Sequence, residues 1–145
     1  MSKLEDFLSY EDEQEIVAAI REAEQKTSGE IRVHLEPSCK GDIENHTLEV
    51  FHELKMDNTQ QRNGVLIYIA VNDRCFSIFG DKGINQLVQS DFWDCTKGTM
   101  QIHFKSGEFK QGIIEGVINA GTQLAKFFPW DEDNENELSN EISKG

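Results

Sequence analysis

Positive charge is what this 145-residue chain has least of. It carries 14 lysines and arginines against 27 aspartates and glutamates, a net charge of −13. Such an acidic surface repels phosphodiester backbones and anionic headgroups, so nucleic acid and membrane are not expected partners, whereas a cation or a basic protein is. Long apolar stretches are also missing. The longest run, Val65–Val71, is far short of the roughly 20 residues needed to span a bilayer. The opening, MSKLEDFLSYEDEQE, lacks the apolar core of a secretory signal. Cysteine is scarce: Cys39, Cys75 and Cys95 are an odd number without CxxC spacing, which reads as reduced thiols in a cytoplasmic protein. Cys75 alternates with Ser77 and is expected in the core. His34, His46, His52 and His103 match no zinc spacing and are read as surface or edge residues. No GxSxG elbow, P-loop, CxxxxxR loop or DxDx[TV] opening occurs, so no complete catalytic motif is present.

What is present is an alternation of helical and extended patterns within a length suited to one domain, residues 1–145, ending in an acidic tail from 130 to 145. Ile16, Val17, Ile20 and Ala23 recur at helical spacing within Glu11–Lys26. Glu30–Glu36 alternates, with Ile31, Val33 and Leu35 on one side. Asp42 is placed to cap a helix through Leu54, with Leu48, Phe51 and Leu54 inward. Gly64–Val71 is apolar throughout, as in a central strand covered on both faces. The Asn72-Asp73 pair then turns the chain into a hairpin strand over Arg74–Phe79. A short helix is predicted over Ile84–Val88. A second, capped by Ser90 or Asp91, carries Trp93, Met100 and Phe104. A long helix over Phe109–Phe128 is punctuated by Gly112, Gly116 and Gly121, which imply close approach of a neighbouring element, and Pro129 stops it. The order gives an α/β fold, a mixed sheet with helices packed on it.

Strand directions locate a candidate site. A right-handed crossover makes Ile31–Leu35 and Val65–Val71 parallel, and the hairpin strand returns antiparallel beside the second. Asp81 therefore falls at the sheet end where both parallel strands begin, together with Glu30 and Asn63. Asp91 and Asp94 follow after one short helix and are placed to fold back over it. Clustered carboxylates repel unless a cation joins them, and oxygen donors in loops are what Ca²⁺ or Mg²⁺ takes. The same residues also have a purely structural reading, Asp91 as a helix cap and Asp81 as an acceptor for its own turn. In the tail, Asp131, Asp133 and Glu135 have the alternate spacing of a calcium loop, without the glycine and distant glutamate of an EF-hand.

Four segments, TSGEIRVHLE (27–36), RNGVLIYIAVNDRCFSIFGDKGI (62–84), DFW (91–93) and FKSGEFKQGIIEGVINAGTQLAKFFP (104–129), resemble the TPM domain. That family is named for thylakoid-lumen, photosystem II repair and nematode receptor-auxiliary proteins. The resemblance spans about residues 10 to 142, and NELSNEIS is similar to the ending of short bacterial members. It implies a three-layer α/β/α sandwich, divalent cations in acidic loops, calcium notably, and, from a plant relative, acid phosphatase activity. Gly80-Asp81 matches the family's strand-end loop and Asn63-Gly64 the start of its central strand.

The expected function is a monomeric, cytoplasmic metal-binding module taking Ca²⁺ rather than Mg²⁺, one ion or two. Glu30, Asn63, Asp81, Asp91, Asp94 and Asp133 are the candidate ligands, and the ion would order a surface for a protein partner. A metal-dependent phosphatase is the first alternative. A metal-free scaffold using the glycine-bearing helix face or the acidic tail is the second.

Overall fold

The computed structural model describes residues 8–39, 41–59, 62–89, 91–130 and 142–144. Helix α1, Tyr10–Glu24, starts at a capping box: the Asp12 N–H donates to Ser9 Oγ (3.1 Å) and the Ser9 N–H to Asp12 Oδ2 (3.3 Å). Reciprocal caps of this kind satisfy donors that a helix start leaves open. Ile16, Val17, Ile20 and Ala23 are buried, as their spacing predicts. Strand β1, Glu30–Glu36, follows. Helix α2, Ile43–Glu53, is capped by Asp42, whose carboxylate accepts from the Asn45 N–H at 3.0 Å. Strands β2, Gly64–Ala70, and β3, Cys75–Gly80, form the hairpin. Then come the one-turn helix α3, Lys82–Asn85, and the helices α4, Asp94–Lys105, and α5, Phe109–Ala125. A two-residue strand, β4, Ser143–Lys144, closes the described chain.

The sheet order is β3-β2-β1-β4. β1 and β2 are parallel, Glu30 opposite Gly64, and β2 and β3 antiparallel, Val65 opposite Gly80. β4 lies parallel along β1 with Ser143 opposite His34, a pairing the sequence pattern did not suggest. Ile31, Val33, Leu35, Val65, Ile67 and Ile69 join the core formed with α1, α4 and α5. Leu66, Tyr68 and Ala70 pack on the opposite face with Val50 and Phe51 of α2. This is the three-layer α/β/α sandwich, and β2, covered on both faces, is buried at every position.

The glycines of α5 behave as their spacing implies. A Cβ on Gly116 would lie 2.5 Å from Met100 Sδ of α4, and one on Gly121 would lie 2.8 Å from Ala23 Cβ of α1. This face is therefore sealed inside the fold, which removes it as a docking surface for a partner. Other expectations shift. In α2 the buried stripe is Thr47, Val50 and Phe51; Phe51 points inward as expected and Leu54 packs partly buried against the same core, while Leu48 stays 37% exposed. Cys75 is exposed rather than core, since it opens an edge strand immediately after the turn. α3 begins two residues before the expected helix because Asp81 caps it. α4 begins after Trp93 without a side-chain cap, so Asp91 does not cap it as expected; Ser90 lies outside the described residues. The tail residues 131–141, including Asp131, Asp133, Glu135 and Leu138, lie outside the described residues. Beyond them Ile142 packs against the core.

Candidate functional site

The start of β1, the start of β2 and the end of β3 meet at one corner of the sheet. The Glu30 N–H donates to the Asn63 carbonyl (3.3 Å) and the Asp81 N–H to the Gly64 carbonyl (2.9 Å), continuing the ladder past the strand ends. Glu30, Asn63 and Asp81 are 2%, 2% and 3% exposed, so three of the residues singled out from strand direction share a buried corner. Asn63 is fixed on two sides: its N–H donates to Thr59 Oγ1 (3.3 Å) and its Nδ2 to Ser28 Oγ (3.5 Å). The approach to β1 is tied to the segment that follows α5. Thr27 Oγ1 donates to the Phe128 carbonyl, the Ser28 N–H donates to the same carbonyl (2.9 Å), and Thr27 bridges Pro129.

Asp81 has specific partners. Its Oδ1 accepts from the Lys82 N–H (2.7 Å), which caps α3, and its Oδ2 accepts from Arg62 Nε (3.0 Å). Arg62 was absent from the sequence-based site. It adopts φ 52°, a backbone conformation that few residues other than glycine tolerate. It is held there by the ion pair and by the Gly83 N–H donating to its carbonyl (2.8 Å). The Asp81 hydrogen bond and charge raise the Arg62 pKa further.

A second residue missed from the sequence, this one an acid, is Glu24, at the end of α1. Its Oε2 accepts from the Ile31 N–H (2.9 Å). Burial pushes its carboxyl up to about 7; the Ile31 hydrogen bond opposes this and the negative charge of Glu30 adds to it. Glu24 and Glu30 therefore form a pair of neighbouring acids at the foot of β1. Asp91 and Asp94 are exposed ahead of and at the start of α4, with the Asp94 N–H donating to the Asp91 carbonyl (3.0 Å). Among the described residues no three His, Cys, Asp or Glu side chains are grouped so as to hold a metal ion. The corner thus brings together Glu30, Asn63 and Asp81, adds Glu24 and Arg62, and leaves Asp91 and Asp94 at the surface.

The sheet face toward α2 carries a separate polar cluster at the other end of β1. Glu36 Oε1 pairs with His34 Nε2 (3.0 Å). Its Oε2 pairs with His46 Nε2 (2.8 Å) and accepts from the Tyr68 hydroxyl (2.6 Å). His34 Nδ1 lies 2.9 Å from Ser143 Oγ of β4, and the His34 ring stacks on Tyr68 at 5.8 Å. His34 is only 4% exposed, so it is an interior residue rather than the edge residue expected. The parity of His34 and Glu36 on one strand was the available signal; His46 and Tyr68 join only through tertiary packing. Burial works to raise the Glu36 carboxyl, but the three hydrogen bonds and the His34 charge hold it below its ordinary value. Tyr68 moves well above the ordinary phenol range through burial and its bonds to Glu36 and Cys39, so it keeps its proton.

A mixed sheet in which a buried acidic corner faces one end and helices cover both faces defines a small α/β/α sandwich of acidic character. The chain belongs to the TPM domain family, whose family model matches residues 1–123. Among solved structures it is similar to the BA42 protein from the psychrophilic bacterium Bizionia argentinensis, at 57% identity over 100% of both chains with a TM-score of 0.93. It shares its fold with the N-terminal domain of a P. gingivalis protein, at 22% identity over 84% of this chain and 79% of that one, TM-score 0.70. The N-terminal domain of cg2496 from Corynebacterium glutamicum also shares the fold, at 14% identity over 95% and 80%, TM-score 0.63. No curated protein matches the chain.

Proposed function

We propose that this TPM domain binds a divalent cation, Ca²⁺ in preference to Mg²⁺, at the corner formed by Glu30, Asn63 and Asp81. The observation that supports the reading is that Glu30 and Asp81 are both carboxylates removed from solvent, with Glu24 beside Glu30 held in a partly protonated state by burial. Oxygen donors in loops and at strand ends suit Ca²⁺, which accepts six to eight of them in flexible geometry. A cation here would lower the Glu24 pKa and draw off its proton. It would compete with Arg62 for Asp81 Oδ2, and Arg62, whose side chain is 40% exposed, has solvent to move into. The exposed Asp91 and Asp94 would then supply outer oxygens, and ordering the segment between Asp81 and Asp94 would present a surface to a protein partner.

The test is a calorimetric titration of EDTA-stripped protein with CaCl₂ and MgCl₂ at pH 7, repeated in buffers of different ionisation enthalpy. A saturable Ca²⁺ isotherm with proton release, lost in the Asp81→Asn variant, is expected. A flat titration overturns the reading.

A second reading draws on the phosphatase label that the matched family model carries. Arg62 engages Asp81 through Nε, so the rest of its exposed guanidinium is available to a phosphate oxygen. A metal beside it would supply the activated water. Ca²⁺- or Mg²⁺-dependent hydrolysis of an aryl phosphate, abolished in Arg62→Ala, would support it, and turnover no greater than the blank would remove it.

A further inference from the structure

At the opposite end of the sheet from Glu30 and Asp81, a cavity of about 570 Å³ opens between the β2–β3 hairpin and the α4–α5 turn. That volume lies within the range of small-molecule sites, about 300–1,000 Å³. Val71, Phe76, Phe104 and Phe109 form apolar walls. Phe104 meets Phe76 edge-on at 5.3 Å, and its ring lies tilted 37° to that of Phe109 at 5.9 Å. Gly112 lets the Phe104 ring lie against α5, since a Cβ there would come within 2.6 Å of it. The lining residues include two cations, Arg74 and Lys105, and no aspartate or glutamate. In a chain with nearly twice as many acids as bases this is a local reversal of sign. Arg74 is set in the hairpin turn at φ 54°, and neither it nor Lys105 is ion-paired with any described residue, although both are exposed. An apolar body with aromatic walls and these two cations at its lining complements one ligand class, an organic monoanion with an apolar tail.

We propose that this pocket binds an aryl or medium-chain aliphatic carboxylate, its apolar part among Phe76, Phe104 and Phe109 and its carboxylate between Arg74 and Lys105. The site uses no residue of the cation corner and stands independently of it. The experiment follows amide shifts of the full chain by two-dimensional ¹H–¹⁵N NMR during titration with decanoate, decanol and decyltrimethylammonium. Decanoate is expected to give saturable shifts confined to the 69–76 and 101–109 stretches. Decanol should bind at least about tenfold more weakly and the cation not at all. Arg74→Gln combined with Lys105→Gln should cost decanoate about tenfold and leave decanol unchanged. Decanoate should also slow maleimide labelling of Cys75, which lines the pocket and is exposed, without slowing Cys95. Equal affinity for decanoate and decanol, shifts spread over the whole chain, unchanged Cys75 labelling, or binding of an acidic apolar peptide where decanoate fails would each overturn the proposal.

Discussion

Glu24 shows how one side chain couples the fold to solution conditions. Its folded pKa of about 7 stands above the ordinary 4.5. Between those values the folded chain retains a proton that the unfolded chain has released, so stability falls as pH rises across that window and is level above it. Glu24→Gln keeps an oxygen for the Ile31 N–H and removes the ionisation. It should leave the melting temperature at pH 4.5 nearly unchanged and raise stability at pH 8 by about 1–3 kcal/mol, measured by thermal or urea unfolding at both pH values. Arg62 carries the second residue-scale prediction. If it competes with a cation for Asp81, Arg62→Ala tightens Ca²⁺ binding several-fold in the same calorimetric titration, and an unchanged or weaker affinity argues against that competition. Strand direction alone brings Arg62, the neighbour of Asn63, to the same end of the sheet, but nothing in the sequence pairs it with Asp81, and nothing in the spacing of α1 sets Glu24 apart as a member of the site.

Among the elements, α5 tests whether its glycines serve packing. A methyl on Gly121 would meet both the side chain and the backbone of Ala23, at 2.8 Å and 3.2 Å, and backbone does not yield cheaply. Gly121→Ala should therefore destabilise by about 1–3 kcal/mol, although alanine is the better helix former. A methyl on Gly98 in α4 would meet nothing within 4 Å, so Gly98→Ala should stabilise by up to about 1 kcal/mol. Denaturant melts of the two variants should move in opposite directions; equal shifts would refute the packing account. Elements built on regular apolar patterns, alternating in β1, continuous in β2 and helical in α5, were legible in the sequence because burial on one or both faces is encoded in residue spacing. Element starts were less so. As a side-chain cap Asp81 opens α3 two residues ahead of the apolar pattern, and Trp93 precedes α4 with no side-chain cap at all, so neither start follows from apolar spacing. β4 was hidden because two residues carry no pattern; its place depends on an edge of β1 being free to pair.

For the molecule as a whole, the −13 charge sets a background against which specific binding must be judged. Any salt relieves diffuse repulsion between surface carboxylates. A built cation site does more: at a hundredfold excess over Kd it adds about 2.7 kcal/mol to stability. Ca²⁺ should accordingly raise the melting temperature beyond NaCl of matched ionic strength, and EDTA should reverse the difference. Identical curves would leave only charge screening.

The chain's own pattern determined the layers of this protein: which of the longer segments are helices or strands, that β1 and β2 run parallel, and that Glu30, Asn63 and Asp81 share one end of the sheet. Those follow from periodicity and handedness, which are local properties or nearly so. Tertiary structure alone decided the company each residue keeps. Arg62 beside Asp81, Glu24 beside Glu30, His46 and Tyr68 gathered on Glu36, and a basic-rimmed cavity on an acidic protein all depend on segments distant in sequence meeting at set angles. Side-chain pairing and pocket shape are fixed by that meeting, and no spacing along the chain records them.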